Sequence, residues 1–129
     1  MAEQRVPRIF IAEDDESILD LLVTRLRIAG YHTTQEKDGL AALEAIKRAP
    51  PNACILDVNM PRMDGFELIR RIRQHQRLST TPIVVVSADT DPDTPERISQ
   101  LGVSAYFSKP YSPAQVRRKL EQILNASTP

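Results

Sequence analysis

The stretch ACILDVNMP, residues 53–61, decides how this chain folds. Ala53, Cys54, Ile55 and Leu56 run straight into Asp57, and Pro61 follows four positions later. A short, continuous apolar run bounded by a turn reads as a strand covered on both faces. Such strands belong in parallel sheets flanked by helices. This one carries a carboxylate to its end, where the Asn59–Pro61 turn redirects the backbone.

Working outward, similar runs recur. They are Ile9–Ala12 (IFIA), Ile83–Val86 (IVVV), Ala105–Phe107 (AYF) and a weaker Tyr31–Gln35 (YHTTQ). Helical periodicities lie between and after them. Ile18, Leu22 and Leu26, with Leu19 and Ala29, form one stripe, and Gly30 supplies its stop. Leu40, Leu43 and Ile46 form the next, ended by Pro50 and Pro51. Phe66, Ile69 and Ile72 form a third. Ile98 and Leu101 mark a short fourth helix, entered at Thr94-Pro95 with Thr94 as the cap. Val116, Leu120, Ile123 and Leu124 mark a fifth, opened by the capping box Ser112-Pro113-Ala114-Gln115. A βα unit repeated five times predicts an α/β domain with a parallel sheet between two helix layers. The weak second strand belongs at the sheet edge.

The 129 residues make one domain, 1–129, with its core spanning about residues 8–125. The formal net charge is zero, which argues against a dedicated DNA-binding or membrane-surface domain. No apolar run approaches the ~20 residues of a membrane span. The N-terminus lacks a signal-peptide core, so a cytoplasmic protein is expected. Cys54 is the only cysteine, and its apolar strand makes it a core residue rather than a reactive thiol.

In open parallel sheets, ligands bind beyond the carboxyl ends of the strands. Those ends carry Glu13, Asp14, Asp15 and Glu16 after the first strand and Asp57 after the third. Ser87 follows the fourth, and Ser108 and Lys109 follow the fifth. Clustered carboxylates repel each other, and a divalent cation relieves that repulsion. All-oxygen ligands favour a hard ion such as Mg²⁺, which keeps several waters and then binds a phosphate. A carboxylate can act as a nucleophile and form an acyl phosphate. Such transfer needs mainly positioning and charge neutralisation, which a cation, a lysine and a hydroxyl supply. Asp15 and Glu16 read equally well as partners of the first helix's dipole.

These residues carry a family resemblance. Glu13-Asp14-Asp15 after IFIA, Asp57 within LDVNMPRMDG, Ser87-Ala88 after IVVV and Lys109-Pro110 after AYFS resemble the receiver domain of two-component response regulators. The match runs from about Arg8 to about Asn125. It implies a flavodoxin-like doubly wound (βα)5 fold with strand order 2-1-3-4-5. It further implies that Asp57 is the phosphoacceptor, served by a histidine kinase or a histidine phosphotransfer protein. Asp14 and Asp57 are then Mg²⁺ ligands, with the Asn59 backbone carbonyl, and Glu13 acts through water. Lys109 pairs with the phosphoryl group, and the Lys109–Pro110 bond is expected to be cis. Ser87 is the switch hydroxyl and Tyr106 its coupled aromatic. Gly65 stands at the sharp turn into the third helix. Asn59 and Asp89 occupy the positions that tune dephosphorylation.

The output surface implied is the face made by the fourth helix, fifth strand and fifth helix, which would contact a downstream protein. The domain would be a monomer or a phosphorylation-dependent dimer. It would touch neither nucleic acid nor membrane, and it would be no enzyme beyond its own phosphorylation and dephosphorylation. It would be a stand-alone chemotaxis-type receiver or an N-terminal receiver excised from a longer regulator. The basic residues Arg70, Arg71, Arg73, Arg77, Arg117, Arg118 and Lys119 read as solvated faces, with Arg117 and Arg118 as a candidate patch for an acidic partner. A pseudo-receiver that works by contact alone is the alternative. A haloacid-dehalogenase-like phosphatase would need an aspartate where Asn59 stands. A flavin carrier of the same topology would need a phosphate-cradling loop where Glu13-Asp14-Asp15-Glu16 stands.

Overall fold

The computed structural model describes residues 6–88 and 91–126. The chain alternates β1 (Arg8–Ala12), α1 (Glu16–Ile28), β2 (His32–Glu36), α2 (Gly39–Arg48), β3 (Ala53–Asp57), α3 (Gly65–Gln74), β4 (Ile83–Ser87), α4 (Thr94–Ser99), β5 (Ala105–Ser108) and α5 (Pro113–Ala126), with a 3₁₀ turn at Gln76–Leu78. The five strands are parallel, in the order β2-β1-β3-β4-β5. The (βα)5 pattern is as the sequence predicts, and the strand order is as the family resemblance implies.

Side chains on a strand alternate between faces, and here both faces are apolar. Phe10, Cys54, Leu56, Ile83 and Val85 meet Leu43, Ile46, Leu68, Ile69, Ile72 and Ile98 on the α2–α3–α4 side. Ile9, Ile11, Ile55, Val84 and Val86 meet Leu19, Leu22, Leu26, Val116 and Leu120 on the α1–α5 side. β3 and β4 are buried at all five positions, whereas β2, at the edge, has no fully buried residue. Each buried Leu or Ile contributes about 1.5–3 kcal/mol. The two layers thus fix β3 firmly, and Asp57 is its last residue.

The helical stripes sit slightly off the predicted positions. α1 buries Leu19, Leu22, Val23 and Leu26; α2 buries Gly39, Ala42, Leu43 and Ile46; α3 buries Gly65, Leu68, Ile69 and Ile72. Each set follows the i, i+3, i+4, i+7 spacing. A run of three-residue steps drifts around the helix, so Leu40, read from the sequence as core, is 39% exposed. Ala29 is likewise exposed, and Ile18 and Phe66 are half-buried. Thr94 is not the cap of α4. The helix starts at Thr94 itself, which is buried, and Asp93 precedes it without a side-chain cap bond.

Aspartates start the first three helices. Asp15 accepts from the Ser17 and Ile18 N–H groups at 3.0 and 3.2 Å, Asp38 from Ala41 at 2.8 Å, and Asp64 from Glu67 at 2.9 Å. Capping satisfies donors that the first turn leaves unpaired. α1 ends as the sequence predicts. Gly30, at φ +98°, donates to Arg27 O, and Tyr31 donates to Leu26 O. Those two bonds form a Schellman closure.

Arg73 is not a solvated residue. Its guanidinium donates to the carbonyls of Leu78 (3.2 Å), Thr81 (2.7 Å) and Gly102 (2.8 Å), tying α3 to the segments that lead into β4 and β5. Hydrogen bonds from a charged donor contribute about 1.5–3 kcal/mol each. Arg73→Ala is therefore expected to lower unfolding stability by about 3 kcal/mol, read by urea denaturation. Arg70→Ala, whose partner Glu67 also bonds Arg71 on the same exposed face, is expected to change it by less than about 1 kcal/mol.

Candidate functional site

The carboxyl ends of β1, β3, β4 and β5 lie along one rim because parallel strands end together. β1 hands the chain to Glu13 and Asp14, and β3 ends in Asp57. β4 ends in Ser87, which pairs in register with Ser108 at the end of β5. Lys109 follows, and its backbone N–H donates to Ser87 O at 2.7 Å. The Lys109–Pro110 bond is cis.

Lys109 joins the carboxylates. Its Nζ donates to Asp57 Oδ2 at 2.8 Å and to Glu13 Oε2 at 2.9 Å. Glu13 is fully buried and Asp57 is 1% exposed, while Asp14 is exposed. One oxygen from each of Glu13, Asp14 and Asp57 lies within 4.8 Å of the others. Two further bonds to these acids come from backbone. Asn59 N–H donates to Asp57 Oδ1 at 2.9 Å, and Asp15 N–H donates to Glu13 Oε2 at 3.2 Å.

The electrostatics show a strained balance. Burial first, and Asp57 next, push the Glu13 carboxyl up to about 7, against the pull of Lys109. Burial lowers the Lys109 pKa, but Asp57 and Glu13 together outweigh it and hold the ammonium above its usual range. With all three carboxylates ionised, the cluster and its one ammonium would carry a formal charge of minus two in a small volume. Glu13 Oε1 is buried and has no hydrogen-bond partner among the described residues. An all-oxygen cluster with excess negative charge and an unused buried acceptor fits a hard divalent cation with its bound waters.

Asp15 stands apart from this cluster, because its side chain caps α1. Glu16 lies outside it too, paired with Lys37 on the surface. The sequence left both open between dipole partner and site residue, and the cap and the pair decide for the first. Ser87 is fully buried at the rim. Tyr106 is half-buried on the α2–α3–α4 side. It lines a shallow cavity of about 230 Å³ with Pro95, Ile98 and Val103. Asp89 lies outside the described residues. Arg117 pairs with Glu121 one turn further along α5, on a partly solvated face. Cys54 is fully buried core, its thiol pushed up to about 12 by burial. A cavity of about 440 Å³ between the β2 edge and α2, lined by Arg8, Thr33, Glu36 and Arg48, includes none of the site carboxylates.

Sequence reading missed Asp64, whose cap sets the start of α3, and Tyr111. The ring of Tyr111 packs against the α1–α5 side of the core, and its hydroxyl is buried without a partner among the described residues. The available signal was its place two residues after Lys109 in a chain with only 5% aromatic residues.

The fold is thus a doubly wound parallel sheet that gathers three carboxylates and a lysine at one rim. The chain belongs to the response regulator receiver domain family, whose model matches residues 9–121. It is 35% identical over 127 residues to the transcriptional regulatory protein BaeR of Escherichia coli, covering 98% of this chain and 52% of that protein. It is 32% identical over 117 residues to the chemotaxis protein CheY-3 of Vibrio cholerae, covering 90% of each. Among solved structures, the receiver domain of a Pseudomonas aeruginosa sensor histidine kinase, with magnesium coordinated in its active-site cleft, superposes with a TM-score of 0.85. That match is 26% identical and covers 94% of this chain and 99% of that one. The chain spans about half the length of most of the curated transcriptional regulators it matches. No helix among the described residues is long and apolar enough to cross a membrane.

Proposed function

We propose that this chain is a phosphoacceptor signalling domain that takes a phosphoryl group from a phosphohistidine onto Asp57. The observation that carries the reading is the Lys109 ammonium held between Asp57 and Glu13, with Asp14 beside them. Asp14, Asp57 and the Asn59 carbonyl would hold Mg²⁺, with Glu13 acting through water. The ion, when bound, neutralises the carboxylates and the incoming phosphoryl oxygens. Asp57 supplies the nucleophile. The Asn59 N–H holds its Oδ1 and Lys109 holds its Oδ2, so the carboxylate is fixed before the donor arrives. One Asp57 oxygen attacks phosphorus, the P–N bond breaks, and its electron pair stays on the donor imidazole. Lys109 then pairs with the phosphoryl group.

The added charge is up to two units, with strong acceptor oxygens. Ser87, at the adjacent strand end, donates to them. Tyr106 couples that movement to the face of α4, β5 and α5, and the cavity beside its ring leaves it room to turn. The change is a shift between two pre-existing states. A histidine kinase or histidine phosphotransfer protein is the proposed donor, and a protein docking on the α4-β5-α5 face is the proposed target, in the cytoplasm. Asn59, which is exposed, and Asp89 are proposed to tune hydrolysis of the acyl phosphate.

The test is to incubate the protein with Mg²⁺ and acetyl phosphate and weigh it intact. The expected result is a gain of one phosphoryl group that requires the metal and is absent in Asp57→Asn. A protein that gains nothing under any condition would be a contact-only pseudo-receiver, and its α4-β5-α5 face would have to act without an acyl phosphate.

A further inference from the structure

Two buried side-chain oxygens lack a hydrogen-bond partner among the described residues, Glu13 Oε1 and Tyr111 Oη. The charges of Glu13, Asp57 and Asp15 all act on the Tyr111 hydroxyl, which puts it on the carboxylate side of the molecule. Glu13 uses its other oxygen, Oε2, to accept from Lys109 Nζ, and Tyr111 follows Lys109 by two residues through the cis Pro110. The Tyr111 ring fills core space on the α1–α5 side, a task phenylalanine would perform without burying a hydroxyl. Burial, then the charges of Glu13, Asp57 and Asp15, push that hydroxyl far above the usual tyrosine range, so it carries its proton at neutral pH.

Buried polar groups are almost always satisfied by protein or by ordered water. Here one atom is a pure acceptor when ionised and the other has a proton to give. A single water that accepts from the Tyr111 O–H and donates to Glu13 Oε1 satisfies both. We propose that Tyr111 is a positioning residue of the carboxylate site, its hydroxyl holding the free oxygen of Glu13 through a shared water and so fixing how that carboxylate faces a bound cation. This inference rests on the reading of the site as a Mg²⁺ site.

The test is calorimetric titration of Mg²⁺ into the full chain and into Tyr111→Phe, Glu13→Ala and the double variant. Groups that orient metal ligands from behind change affinity by about 10–100-fold when removed, and one acting through water belongs at the low end. Tyr111→Phe is expected to weaken Mg²⁺ binding by about tenfold. Its urea midpoint in EDTA should be unchanged or higher, because the ring remains and a buried hydroxyl is gone. In the Glu13→Ala background the same change should have no further effect on affinity. Wild-type affinity in Tyr111→Phe would overturn the inference while leaving the metal site standing. An equal loss with and without Glu13, or a lowered midpoint in EDTA, would assign Tyr111 to packing and overturn it as well. Wild-type protein that binds no Mg²⁺ would instead overturn the metal reading, and the inference with it.

Discussion

Lys109→Ala is expected to destabilise the metal-free protein by about 3–5 kcal/mol. Nζ is the cation bonded to both buried carboxylates, and its side chain is only 14% exposed. Without it, Glu13 and Asp57 face each other with Asp14 alongside and little water to screen them. Breaking a buried pair from one side leaves an uncompensated charge, which is why this loss is much larger than that of a surface pair. The Arg117–Glu121 and Arg71–Glu67 pairs, on partly solvated helix faces, are expected to change stability by about 0.3–0.5 kcal/mol each.

Two routes relieve the repulsion in Lys109→Ala, and each gives a measurement. A divalent cation can replace the missing charge, so Mg²⁺ should return part of the stability lost in EDTA. Protons can do the same. Glu13, already raised to about 7 by burial and by Asp57, loses the lysine that opposed the rise. A carboxyl whose folded pKa exceeds its unfolded value binds protons preferentially when folded. Its stabilising protonation is complete at low pH and is lost as pH rises from the unfolded value through the folded one. Below about pH 6 Glu13 is protonated in both folded proteins, so the gap between variant and wild type in EDTA should be flat there and widen as pH rises from about 6 to 8, where the wild-type carboxyl ionises first. Urea titrations across that range would find a narrow, flat gap if the lysine contributed no more than a surface charge.

The sheet was legible because parallel strands covered on both faces are written as unbroken apolar runs. ACILD and IVVVS are buried at every position, and both were read correctly to within a residue at each end. The edge strand HTTQE has no such signature, and its position followed from weakness rather than pattern. The site's carboxylates and lysine were legible for a related reason: each follows a recognisable run, so topology alone gathers them at one rim. Which acids cap helices and which stay in the cluster was not legible. Asp14 and Asp15 are neighbours of the same type, and only backbone direction separates a cap from a site residue. Tyr111 was invisible because its part depends on a buried oxygen with no partner, a property of packing rather than of spacing.

Gly65→Ala is expected to lower stability by about 3 kcal/mol or more and to impair the site along with the fold. An added Cβ would stand 2.3 Å from Val58 Cα and 2.7 Å from Asp57 O. Both are backbone atoms, so no side-chain rotation removes the clash. Either α3 lifts from the exit of β3 or the exit itself moves. Lifting α3 uncovers Leu68, Ile69 and Ile72 and stretches the 2.9 Å bond from Gly65 N–H to Val58 O. Moving the exit displaces Asp57 and the Asn59 turn that holds its Oδ1. Gly30→Ala is the control, because its difficulty is of another kind. Gly30 sits at φ +98°, yet nothing lies within 4 Å of its added Cβ. Left-handed strain alone costs about 1–2 kcal/mol, and Gly30 closes α1 far from the carboxylates, so Mg²⁺ affinity should not change. Gly65→Ala should lose both stability and Mg²⁺ affinity, measured by urea unfolding and calorimetry on the same samples. If the two variants proved equal in both, the Val58–Gly65 loop would be free to adjust, and close backbone contact would not be what positions Asp57.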